Sequence, residues 1–103
     1  MLYLVEAHAT IERGNEIDDK GGPGPVFVHI SERFKPEGFY FIPTRRAVVL
    51  IVNLDSPSQI AELMFLLTRF TGVEPTFTPL VPMAEAARLI PEAITSAKKA
   101  PAL

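Results

Sequence analysis

The sequence predicts an α+β domain in which two main helices cover one face of a four-stranded antiparallel sheet and a helical tail follows. Three stretches carry this expectation. "LYLVEAHA" at residues 2–9 alternates like a strand, and "AVVLIVNL" at residues 47–54 is apolar on both faces except for Asn53. Between the 47–54 strand and a later β-rich segment, "DSPSQ" opens a long apolar-periodic run that closes at Gly72, the pattern of a capped helix. At 103 residues with 48 % apolar and 21 % charged side chains, the chain is expected to be one globular domain with a thin core that leans on a partner.

In the first strand, Leu2, Leu4, Glu6 and His8 fall on one face and Tyr3, Val5 and Ala7 on the other. Residues 10–24 read as a loop with one short helix, opened by a turn that Thr10 caps, because Gly14 interrupts the pattern and "GGPGP" ends it. A helix over residues 25–35 follows, with Phe27, Ile30 and Phe34 at helical spacing and Pro36 as its stop. "EGFYFIP" and the 47–54 run are joined by "TRR", a spacing that suits a hairpin although the turn lacks Gly or Asn. Ser56 caps the next helix, Pro57 takes its first position, and Gln59 reaches back to the N–H of the cap, so the helix spans residues 57–70. "EPTFTPLV" is a last strand, which Pro75 and Pro79 confine to a sheet edge. Residues 83–100 are alanine-rich and helical, with Pro91 breaking or restarting the helix.

The order is therefore βαββαβ, a ferredoxin-like order, over residues 1–81, with residues 82–103 as a helical tail that packs on the domain or on a partner subunit. Both helices then lie on one face of the sheet, and the apolar second face of the 47–54 strand needs a cover, either the tail or a second copy. The opening "MLYLVEA", the hairpin into "RRAVVLIVNLDSPSQIAELMFLL" and the closing "PTFTPLV" resemble the dimeric α+β barrel superfamily, in particular its small muconolactone-isomerase-like and other single-domain members. That resemblance implies a homodimer, or a higher homo-oligomer, formed sheet on sheet. It implies no particular reaction, and no catalytic signature of the superfamily is matched.

Composition excludes several classes. Ten basic against twelve acidic residues give a net charge of -2, without the excess that binds nucleic acid by counterion release. With no cysteine, thiolate nucleophiles, thiolate metal sites and disulfides are ruled out. The longest apolar runs are too short to span a bilayer and the amino terminus has no basic leader, so a cytoplasmic protein without a membrane partner is expected.

Among motifs, "GGPGPVF" most resembles a phosphate loop, but it lacks the Lys and hydroxyl of that motif, and Pro23 and Pro25 remove two donors. It reads as a helix start whose N–H groups, at Val26 and Phe27 above all, remain open to a carboxylate. Glu6 and His8 share a strand face, so an acid and an imidazole stand within reach of each other, and Glu6, in an apolar strand, requires water, His8 or an Arg as partner. His29 lies on the short helix, and two histidines without a carboxylate cluster make no metal site. Tyr40 brings a hydroxyl to the second strand. Arg45 and Arg46 are sent to opposite faces, where either steers an anion or keeps the hairpin tip soluble. The reading is a cofactor-free homodimer that binds a small organic ligand, with Arg45, Arg46, Val26 and Phe27 as binding candidates. Its rivals are a cofactor-independent isomerase-like or monooxygenase-like enzyme, with His8, Glu6, His29 and Tyr40 as catalytic candidates, and a protein-interaction or regulatory module.

Overall fold

In the computed structural model, which describes residues 1–102, the chain runs β1 (Leu2–His8), α1 (Ile11–Asp19), α2 (Gly24–Phe34), β2 (Gly38–Ile42), β3 (Ala47–Asn53), α3 (Pro57–Thr71), β4 (Thr76–Leu80) and α4 (Met83–Ala97). The strands form one antiparallel sheet in the order β2-β3-β1-β4, an α+β arrangement compatible with the ferredoxin-like order. β4 takes an edge, where Pro79 removes no ladder donor that a neighbour needs.

Register decides which side chains meet the helices. Tyr3, Val5 and Ala7 stand opposite Val52, Leu50 and Val48, and the last five of these six are buried. They join Ile30 of α2, Leu63 and Leu67 of α3, and Leu54 to make the core. Phe27 meets Phe39 edge to face at 5.4 Å, which fixes α2 over β2 and β3. On the second face stand Leu2, Leu4, Ile42, Val49, Ile51 and Leu80, with Glu6, His8 and Tyr40. Among the described residues no helix lies across it. In α4 every side chain except Ala86 is exposed, including Met83 at 82 %, Ile90 at 51 % and Ile94 at 49 %, and the molecule extends to 56 Å along its longest axis.

α3 begins as its sequence dictates. The Gln59 N–H donates to Ser56 Oγ at 3.3 Å, Pro57 stands in the first turn, and Gly72 ends the helix at φ 77° with its N–H donating to the Thr68 carbonyl. Gln59 Oε1 accepts at 2.6 Å from the N–H of Asp55, one residue before the one expected. Leu66 packs against the core, since α2 lies beside α3 and widens the buried stripe, whereas Phe65 stays outside at 61 % exposure.

Two further expectations are corrected. The short helix capped by Thr10 is present, but it runs on through Gly14 to nine residues: Thr10 Oγ1 accepts from the Arg13 N–H at 3.1 Å and Arg13 pairs with Glu16 at 2.8 Å. Arg13 Nε also donates to the Phe70 carbonyl at 2.9 Å, so tertiary contacts outweigh the weak local propensity. Likewise α4 runs through Pro91 without a break; the one hydrogen bond that Pro91 cannot donate leaves the Ala87 carbonyl without a helix donor on an exposed face, where water can donate to it.

Candidate functional site

At the end of the sheet where β1 finishes and β3 begins, α1 and α2 stand off from the strands and leave a cavity of about 330 Å³. Ala7 and Val48 form its floor because their small or short side chains leave room that a Leu at either position would fill. Phe27 of α2 and Leu67 and Phe70 of α3 wall one side, the rings of Phe27 and Phe70 meeting edge to face at 6.4 Å. Ile17 and Gly14 of α1 close another side, and Phe41, Pro43 and Arg46 come from the β2–β3 hairpin. The hydroxyl of Thr71 is already engaged, donating to the Leu67 carbonyl at 2.8 Å and accepting from the Val73 N–H at 3.1 Å. Oriented polarity therefore comes from the rim.

There Arg46 is held by three local features. Its backbone sits in the left-handed region at φ 47°, where Gly or Asn is usual, because the turn from Pro43 to Arg46 must reverse the chain without either. Its side chain then crosses α1 at Gly14, where an added Cβ would lie 2.7 Å from Nη1. Finally Nη1 donates to Asn15 Oδ1 at 3.0 Å, and Nη2 stands 3.3 Å from Asp18 Oδ2. Both charged side chains are about half exposed, so this pair is a solvated rim contact and contributes little stability.

The sequence candidates separate into three places. Arg46 and Phe27 line the cavity. The N–H groups of Val26 and Phe27 both donate to the Pro23 carbonyl at 3.1 Å, so α2 occupies the donors that an anion would need there; what Phe27 brings is its ring, and Val26 packs against the core. Glu6, His8, Tyr40 and Arg45 lie on the second sheet face, away from the cavity lining. Glu6 takes Arg45 as its ion-pair partner across the strands, and His8 is exposed at the end of β1. Tyr40 folds back over Gly38, where an added Cβ would lie 2.9 Å from its ring, and is 63 % exposed. The two arginines thus part, Arg45 to Glu6 and Arg46 to the cavity rim, through the geometry of the turn and the left-handed backbone of Arg46, not through strand alternation.

His29 lies in an open groove between α2 and α3, beside Glu62, Phe65 and Arg69. Arg33 grips Glu62 there with two hydrogen bonds of 2.8 and 2.9 Å. Those hydrogen bonds hold the Glu62 carboxyl below its usual range against partial desolvation, with the charges of Arg33 and His29 adding to the effect. No group of three or more acidic or histidine side chains is gathered for a metal ion among the described residues.

Sequence reasoning missed Gly14, Asn15, Asp18, Phe70 and Thr71. A signal existed: once residues 11–19 are helical, Asn15 and Asp18 at spacing three share a face, with Gly14 adjacent. Comparison with protein-family models and with curated proteins gives no match for this chain. No helix among the described residues is long and apolar enough to cross a membrane.

Proposed function

We propose that the chain is a homodimeric domain of the dimeric α+β barrel kind that binds a small organic molecule between α1, α2 and the sheet. The observation that carries the binding role is the cavity itself, about 330 Å³ of mostly apolar wall with a single cation at its rim. Such a combination of apolar lining and few placed polar groups is typical of small-molecule sites. The dimer is supported by the second sheet face, whose aliphatic side chains no helix covers among the described residues, and by α4, whose apolar residues project from it. Two copies related by a two-fold axis bring identical sheet faces together and give each α4 a partner to lie on.

A ligand-observed NMR screen with a mixed set of small aromatic and aliphatic acids, amides, alcohols and amines tests the binding role. Ile17→Trp fills the cavity from its α1 wall. Binding by the wild type that Ile17→Trp abolishes is the expected result. An absence of binders, or binders indifferent to Ile17→Trp, refutes it.

A further inference from the structure

We propose that the occupant of the cavity is an organic carboxylate, its apolar body between Phe27, Leu67 and Phe70 and its carboxylate on the guanidinium of Arg46. This rests on the cavity being a binding site, as proposed above, and adds the chemical class.

Charge narrows the choice first. Only Arg46 and Asp18 among the lining residues are ionised, and Arg46 is the one fixed in place, by its left-handed backbone and by the close approach that Gly14 permits. A backbone conformation that Arg rarely adopts, kept at the mouth of an apolar cavity, is the type of strain found at ligand clamps. The guanidinium is also under-used. Charge-assisted N–H···O contacts close to about 2.7–2.9 Å, whereas Asp18 stands at 3.3 Å through one oxygen. Asn15 takes Nη1, and Nε makes no hydrogen bond among the described residues. A carboxylate can therefore take the Nε and Nη2 edge in the two-pronged geometry that a guanidinium favours, displacing a weak, solvated contact. A cation seeking Asp18 would meet Arg46 beside it, and a phosphate would find one cation with a carboxylate alongside. Size fits the same class: the volume is at the lower end for ligand sites, enough for one ring or a short chain.

Three probes that share a phenyl group and differ in charge test this by calorimetry: phenylacetate, phenylacetamide and phenethylamine. Phenylacetate should bind about tenfold or more tightly than the other two, a difference of about 1.4 kcal/mol or more. Arg46→Asn suits the left-handed backbone and removes the charge, so it should erase the preference for the acid over the amide. Asp18→Asn removes the competing carboxylate from an exposed position and should strengthen phenylacetate binding several-fold. Equal binding of acid and amide to the wild type, or weaker acid binding in Asp18→Asn, overturns the carboxylate and leaves the binding site standing. If none of the three probes binds and the broader screen is also empty, the site and its ligand class fall together.

Discussion

Substituting Ile90 of α4 by Glu tests whether that helix belongs to the subunit interface. The six aliphatic side chains of the second sheet face are each already partly covered by their strand neighbours. If a third of their transfer energy remains to be gained, each returns about 0.5–1 kcal/mol, or roughly 6–12 kcal/mol over two copies. Association itself costs about 4–15 kcal/mol, so the sheets alone stand near break-even. Met83, Leu89, Ile90 and Ile94 are between 41 % and 82 % exposed. Covering half of each adds about 0.8–1.5 kcal/mol per side chain, again roughly 6–12 kcal/mol over two copies. At the middle of these ranges, only the sum that includes α4 reaches the roughly 8 kcal/mol that a micromolar dimer needs. Ile90→Glu should therefore convert a dimer at micromolar concentration into a monomer, read by light scattering, with far-UV circular dichroism unchanged because Ile90 is exposed on α4 and takes no part in the core. A wild type that is monomeric there refutes the dimer. A mutant that stays dimeric removes α4 from the interface and leaves the sheets to hold it.

Ser56→Ala should cost about 1 kcal/mol in denaturant melts, since it orphans the Gln59 N–H at the start of α3; no measurable loss would mean that the cap is idle. Gly72→Ala should lose about 1 kcal/mol through its left-handed backbone alone, because an added Cβ meets nothing within 4 Å. A neutral result would show that the backbone there relaxes. The Glu62 carboxyl is held low by Arg33, so the unfolded chain binds its proton more readily than the folded one. The contribution is present above the ordinary carboxylate range and disappears as pH falls through the lowered folded value. Wild type should thus exceed Glu62→Gln in melting temperature near neutrality and converge with it in acid; a gap that persists in acid contradicts the ion pair as its source.

The parts of this fold that sequence reveals are those decided within a few residues. Ser56, Pro57 and Gly72 each act on their own backbone, and they bound α3 within one residue. The alternation of Leu2 to His8 likewise assigns faces without any knowledge of neighbours. The cavity is different, because it depends on α1, whose apolar pattern is weak and whose order comes from Arg13 reaching Phe70 far along the chain. Gly14 reads locally as an interruption; in three dimensions it is the space that Arg46 occupies. The partner of Glu6 shows the same limit. His8 is near in sequence, but the hairpin register delivers Arg45, and register is a property of two strands together.

Pro79 in β4 has a consequence for the way copies of this chain meet. A sheet can grow by adding a strand along its rim, and that route ends in open fibres instead of closed pairs. On the β4 rim Pro79 deletes one of the outward donors that an incoming strand would need, and Pro75 precedes the strand. The opposite rim, β2, offers only five residues and is bracketed by Pro36 and Pro43. Both rims are thus poor templates for lateral growth.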